Sequence, residues 1–424
     1  MAITRTQLEA ATEALALVLR FDRAADAVLH DFFGARRALG SHDRAFIADS
    51  VYGVLRRKRT VDRLAAGGNP RQLLLAYLLR PAGVSARELA GVLGADEQEW
   101  AARVRAAALG GGSLADRTEL PEWLADRLAP ILGEDGLVAA ANALNQPAPL
   151  DLRVNTERAK RDEVVLQLAA DGIPAVATPY SPIGIRIQGR PAINRHALFT
   201  GGAIEIQDEG SQLLGFLVAP RRNDLVVDFC AGAGGKSLLL GALMRSRGRI
   251  HAFDTSAARL ERLKPRLRRS GLSNLHPHVI ASEHDKRVKR LAGKADRVLV
   301  DAPCSGLGTL RRNPDLKWRQ SPRSVDELKL KQAAILKAAA DLLKPAGRLV
   351  YATCSLLAEE NEEVVAAFLR ERSGFRMLHC GALLEQQGIP VDTGEYLRLW
   401  PHQHGTDGFF AAAIEKSPNP AAIS

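Results

Sequence analysis

An α/β fold is predicted: a doubly wound, largely parallel sheet, preceded by an all-helical segment and a small α+β unit. Three observations carry it. From Leu225 onward, short β-branched runs alternate with amphipathic helical stretches, as parallel strands joined by crossover helices do. The stretch LVVDFCAGAGGKSLLL, Leu225 to Leu240, reads as strand, glycine turn and helix, which is how an open α/β sheet makes a nucleotide-type pocket. Residues 1–140 keep helical spacing of apolar side chains with no strand signal.

Taken in order, the helical segment shows Leu8, Ala11, Leu15 and Leu19, then Ile47, Val51, Val54 and Leu55, each on one helical stripe. Ser41 is placed to cap a helix starting at His42-Asp43-Arg44. Pro121 opens another helix, where its missing N–H costs nothing. Gly110-Gly111-Gly112 is a flexible break, and Arg56 to Arg59 form a basic edge. The texture changes around Gln146 to Pro149. In the second unit, residues 145–200, Leu150 to Asn155 and the run Ile183, Ile185, Ile187 alternate as strands around a helix from Arg161 to Ala170. The third unit, residues 201–417, holds Ile204 to Ile206, a helix from Gln212 to Val218 and then the alternating core. Its strands are Leu225 to Asp228, Arg249 to Asp254, about His278 to Ala281, Arg297 to Asp301 and Arg348 to Thr353. A helix from Val325 to Leu343 ends at the turn Lys344 to Gly347. Glu359, Glu360, Glu362 and Glu363 suit a helix N-terminus. Gly408 to Glu415 is a late strand, and the tail from Ser417 is expected to fray.

Composition narrows the class. The chain of 424 residues exceeds one ordinary core, and its net charge of +10 favours an acidic partner, most often nucleic acid. Four cysteines without CxxC spacing are neither a zinc site nor a disulfide scaffold. The N-terminus lacks a signal-peptide pattern and no apolar run approaches the ~20 residues of a membrane span. A soluble, monomeric protein of the cytoplasm, bound to no metal and no membrane, is expected.

The glycine turn restricts the ligand. A P-loop needs glycine where Cys230 stands, and a dinucleotide fingerprint starting at Gly232 needs glycine where Ser237 stands. What is left is a smaller nucleoside cofactor, with S-adenosylmethionine the natural candidate. Asp254, ending the second strand, is placed to bind ribose hydroxyls or to cap the helix from Ser256. Asp285 could accept from the adenine amino group or be an exposed loop acid. The fourth strand ends in Asp301-Ala302-Pro303-Cys304-Ser305 and the fifth in Thr353-Cys354-Ser355. If these strands are neighbours, two thiols meet at the carboxyl end of the sheet, where ligands bind. Each cysteine could be a small buried hydrophobe, but two at adjacent strand ends point to catalysis. A thiolate adding at carbon 6 of a pyrimidine makes carbon 5 nucleophilic, and Asp301 could hold the base edge. The segment Arg311 to Trp318 could hold phosphates, with Trp318 either core or a stacking face.

DFCAGAGGKS, DAPCSGLGTLRRNPDLKW and YATCSLLAEENEEVV resemble the cofactor, proline-cysteine and threonine-cysteine motifs of the Sun/RsmB family of RNA cytosine-5 methyltransferases. SHDRAFIADSVYGVLRR resembles the NusB-like RNA-binding domain of its bacterial 16S rRNA members. The resemblance implies a class I methyltransferase domain with S-adenosylmethionine as cofactor and RNA, most of all 16S rRNA, as substrate. It implies Cys354 as nucleophile, Cys304 assisting product release, and Asp301 and Lys236 beside them. Cys230, Ala231, Gly232, Ala233, Gly234, Gly235, Lys236, Asp254, Asp285 and Asp301 would line the cofactor or the base. Gly232-Ala233 departs from the alanine-proline pair usual there. A tRNA-directed member of the family and a non-catalytic ribosome-assembly factor are the alternatives. DNA cytosine methylation is disfavoured, because those enzymes have no need of Cys354.

Overall fold

The computed structural model describes residues 3–108, 110 and 112–418; Gly111 of the glycine break and the tail beyond 418 lie outside the described residues. The chain divides into two compact units. One holds the described residues up to Pro147 together with Thr309–Pro322; the other holds Ala148–Gly308 and resumes at Arg323.

The first unit is helical. Its longer helices are Arg5–Val18, Ala25–Ala35, Ser41–Arg56, Pro70–Leu79, Ala95–Ala106 and Glu122–Leu144. Local chemistry starts them. Thr4 accepts from the Gln7 N–H while the Gln7 side chain accepts from the Thr4 N–H, a reciprocal cap, and Asn69 does the same with Gln72 ahead of Pro70. Gly40, rather than Ser41, is the cap of the third helix, and Asp43 reaches back to its N–H at 3.2 Å. Leu8, Ala11, Leu15, Ile47, Val51, Val54 and Leu55 are all buried, but Leu19 lies past the end of its helix. Gly133, at φ 69°, kinks the last helix three residues after Pro130.

The segment following the first cysteine motif folds into this helical unit. Lys317 Nζ donates to Asn145 Oδ1 at 2.9 Å and to the Arg56 carbonyl at 3.1 Å, and the side chain is 1% exposed. Trp318 Nε1 donates to the Leu55 carbonyl at 2.9 Å. Thus Trp318 is a packing residue, and Lys317 is an anchor in place of the expected phosphate ligand. Burial drives its amine down to about 7, so the uncharged form suits this site. Part of the expected basic edge is taken up by ion pairs: Arg59 pairs with Asp116 and Glu122, and Lys58 with Asp62.

The second unit contains two sheets. β1 (Leu150–Val154), β2 (Ala175–Ala177), β3 (Gly184–Ile187) and β4 (Ile204–Ile206) form an antiparallel sheet in the order β2-β3-β1-β4. The larger sheet holds β5 (Leu225–Asp228), β6 (Arg249–Asp254), β7 (Leu275–Val279), β8 (Ala295–Asp301), β9 (Leu343–Thr353), β10 (Phe375–Leu378), β11 (Leu397–Leu399) and β12 (Phe409–Lys416). Its order is β10-β12-β9-β8-β5-β6-β7, with β11 beside β12. β5 to β9 run parallel and β10 to β12 join antiparallel. The order reverses between β5 and β8, a topological switch point where such sheets bind ligands.

Val226 and Val227 are fully buried and belong to the cores on opposite faces, as a strand covered on both sides requires. Leu152, Ile185 and Ile204 of the small sheet join the same core as Val226 and Leu239, so the two sheets of this unit share one interior.

Several element boundaries differ from expectation. β7 starts at Leu275, earlier than His278. The long helix is Pro322–Ala340, and β9 already begins at Leu343; the turn Lys344 to Gly347 is a bulge, with Ala346 at φ 59° and a register break opposite Ala295 and Arg297. The acidic run does not open one helix: Ala358–Glu360 is a separate 3-10 turn, Glu360 is fully buried, and the helix is Glu362–Glu371. Among the described residues, no helix is long and apolar enough to cross a membrane.

Candidate active site

A cavity of about 710 Å³ opens at the carboxyl ends of β5, β6, β8 and β9. It is lined by Cys230, Ala231, Gly232, Ala233, Gly235, Lys236, Asp254, Asp301, Cys304 and Cys354, among others. The sequence-predicted set thus converges with two exceptions. Gly234 shapes the turn instead of lining the space. Asp285 stays outside: its carboxylate accepts from the Arg287 and Ala281 N–H groups at 2.8 and 3.0 Å, the behaviour of a capping loop acid.

The glycine turn is held from both sides. Gly232 and Gly234 have φ of 55° and 78°, conformations that L side chains rarely adopt. A Cβ on Gly234 would also meet the Leu263 side chain at 2.1 Å. The helix Gly235–Leu243 begins immediately after, so its unsatisfied N–H groups are available at its start. Asp254 Oδ2 accepts from the Gly232 N–H at 2.8 Å, and Oδ1 accepts from the Ser256 N–H at 2.7 Å. The residue therefore braces both loops while remaining on the cavity wall. Below the turn, Ser237 Oγ donates to Asp228 Oδ2 at 2.6 Å. Burial pushes the Asp228 carboxyl up to about 7.

Asp301 and the two cysteines come from β8 and β9, which pair directly, Asp301 opposite Ala352. That register brings Cys304 Sγ and Cys354 Sγ to 3.4 Å. The hydrogen bond with Cys354, together with burial, raises the Cys304 thiol well above its usual range. Lys236 Nζ donates to Asp301 Oδ2 at 2.6 Å. Burial alone would lower the Lys236 amine, but the Asp301 carboxylate outweighs it and holds the ammonium form. Cys230 stands at the mouth of the turn, and burial pushes its thiol upward.

Several cavity residues escaped sequence reasoning. Arg259, Arg262 and Arg266 line it from one face of the helix Ala257–Ser270; their helical spacing beyond Asp254 was a readable signal. Glu283 lies on the wall where Asp285 was expected. Gln207, Asp208 and Ser211 precede β5, and Phe409 arrives from β12, with no local pattern to mark them. Gln207 is 8% exposed, and its carboxamide oxygen has no partner among the described residues.

The fit to a nucleoside cofactor is physical. The turn permits close backbone approach, the helix start offers N–H donors, and Asp254 offers carboxylate oxygens, while the two thiols stand on the same cavity wall.

Comparison with known proteins gives the family of the chain. Residues 215–415 match the family described as 16S rRNA methyltransferase RsmB/F, and residues 120–194 match the ferredoxin-like domain described for RsmF/B-like methyltransferases. The probable ribosomal RNA small subunit methyltransferase B of Synechocystis sp. is 33% identical over 420 residues, covering 90% of this chain and 94% of that protein. The crystal structure of PH0851 superposes with a TM-score of 0.82 at 26% identity, covering 98% of this chain and all of that one. A methyltransferase homolog from Pyrococcus horikoshii superposes with a TM-score of 0.62 at 29% identity, covering 72% and 97%.

Proposed function

The chain belongs to the 16S rRNA methyltransferase RsmB/F family, and on that premise we propose that it methylates carbon 5 of a cytosine in 16S rRNA through a covalent cysteine adduct. The cofactor is S-adenosylmethionine, which supplies an electrophilic methyl group when bound. Cys230 to Lys236 and Asp254 would hold it.

The observation that carries the reading is the pair of sulfurs 3.4 Å apart on the cavity wall that also bears the glycine turn. Carbon 5 of cytosine is a poor nucleophile. Addition of the Cys354 thiolate forms a sulfur–carbon 6 bond and moves the ring electrons toward carbon 5, which then takes the methyl group. Loss of the carbon 5 proton to a base re-forms the ring double bond and expels the Cys354 thiolate. Asp301, fixed by Lys236, would accept from the exocyclic amine of the base. Lys236 shares the cavity wall with Cys354. A Cys304 S–H directed at the Cys354 sulfur would stabilise the same thiolate as it leaves.

The test separates the two thiols. With RNA substrate and cofactor, Cys354→Ala should abolish methylation and form no adduct. Cys304→Ala should still add and transfer, but release slows, so a protein–RNA adduct should survive denaturing electrophoresis. Adduct in Cys354→Ala but not in Cys304→Ala would reverse the roles. Absence of any adduct from the wild type, even on 5-fluorocytosine RNA that cannot lose the carbon 5 proton, would refute thiol addition.

A further inference from the structure

Both cysteines are followed by a serine, and the two serines meet on one buried side chain. Ser305 N and Gln332 Nε2 donate to Glu360 Oε1 at 2.8 and 3.0 Å. Ser305 Oγ donates to Glu360 Oε2 at 2.5 Å, and Ser355 Oγ donates to the same oxygen. Four donors on two oxygens match the acceptor capacity of a carboxylate. The brace is itself fixed. Tyr351 Oη donates to the Glu360 carbonyl at 2.6 Å, and Gln332 Nε2 also donates to the Pro303 carbonyl at 2.9 Å, directly before Cys304. Asn361 Nδ2 donates to the Ser355 carbonyl at 3.1 Å, directly after Cys354. Glu360 is fully buried and does not line the cavity.

We infer that Glu360 is a positioning residue that staples the two cysteine loops together and sets the separation of their sulfurs. The loops leave neighbouring strands, yet strand pairing ends at Asp301 and Ala352, before either sulfur. Beyond that point two sets of bonds join the loops: the Gly308 N–H donates to the Cys354 carbonyl at 2.8 Å, and Glu360 gathers Ser305 and Ser355. A carboxylate can accept from all four donors; in Glu360→Gln the single oxygen could still accept from the two hydroxyls, but the new NH2 would face the Ser305 N–H and the Gln332 Nε2, donor against donor. Buried and satisfied by both loops, the brace resists opening because each lost bond would leave a polar group unpaired. The inference rests on the two-thiol reading for its catalytic meaning, while its geometric content stands apart from it.

The probe is phenylarsine oxide, which joins two close thiols through two arsenic–sulfur bonds and releases water. The wild type should bind it through Cys304 and Cys354, with binding lost in Cys304→Ala. Glu360→Gln should slow capture by roughly ten- to a hundred-fold, the scale at which a displacement near 1 Å acts. Cofactor affinity by calorimetry should be unchanged, which separates repositioning from unfolding. In methylation, Glu360→Gln should raise the ratio of trapped adduct to released product, whereas a general loss of fold would lower both together. Ser305→Ala, which removes a single arm, should give a smaller effect of the same sign and carries the test if Glu360→Gln does not fold. Unchanged arsenical capture in both variants overturns the staple. A wild type that captures the arsenical yet never forms an RNA adduct would leave the staple standing and refute the thiol-addition mechanism.

Discussion

Asp228 shows how much a single buried side chain near the cofactor turn can cost. It is fully buried, one oxygen is held by Ser237, and the other has no partner among the described residues. Burial keeps its carboxyl protonated up to about 7 in the fold, against about 3.9 in an unfolded chain. Between those values the unfolded state releases a proton that the folded state retains. Stability from this group is therefore full below about pH 4 and is lost as pH rises through 7. Asp228→Asn keeps an acceptor for Ser237 but no longer titrates. Its melting temperature relative to wild type should climb between pH 5 and pH 8, by at most a few kcal/mol of stability. An equal difference at both pH values would show that Asp228 stays ionised.

At the scale of the element, the glycine turn separates two demands that glycine can meet. Gly232 has a positive φ but open space where a Cβ would stand, whereas Gly234 has a positive φ and the Leu263 side chain 2.1 Å from that position. Gly232→Ala should therefore cost only the backbone term, about 1–2 kcal/mol. Gly234→Ala adds an overlap that must displace Leu263 from the core or tilt the helix Gly235–Leu243, for roughly 1–3 kcal/mol more. Thermal melts and cofactor titrations of the two variants check this. Equal losses would mean that the turn, and not its contact with Leu263, governs the site.

For the whole molecule, the informative feature is the segment Thr309–Pro322. It follows the Cys304 loop in the chain but packs in the helical unit. Reading the sequence by domains suggests that deleting residues 1–140 would leave a self-sufficient α/β unit that keeps its cofactor affinity. The structure revises that expectation. The deletion would remove Leu55, which accepts from Trp318, and Arg56, one of the two acceptors of Lys317. An apolar ring and a buried amine would then face water. The plain truncation should therefore aggregate or melt early. A second truncation, with residues 310–321 replaced by a short glycine-serine linker, should recover cofactor binding in calorimetry. Equal behaviour of the two truncations would show that the segment does not depend on the helical unit.

By itself the sequence determined whatever depends on near neighbours along the chain. Strand periodicity located β5 and β6 to the residue, Pro121 placed a helix start, and the spacing of glycines excluded two classes of nucleotide loop. Even the meeting of Cys304 and Cys354 was legible, because strands that flank a switch point are usually neighbours and their ends then coincide. The tertiary structure decided what depends on burial and on distant partners. Glu360 sits in an acidic run that reads as a solvated helix end, yet serines from two loops and a glutamine from a third element make it an interior brace. Lys317 reads as a phosphate contact and Trp318 as either core or a stacking face, yet the helical unit buries Lys317 and packs Trp318 against its core. Gln207 and Phe409 carry no local mark because β12 and the segment before β5 reach the cavity only through long-range pairing. The physical reason is one of range. Dihedral preference and periodicity act over a few residues, whereas the environment of a charge is set by whichever side chains the completed fold packs around it.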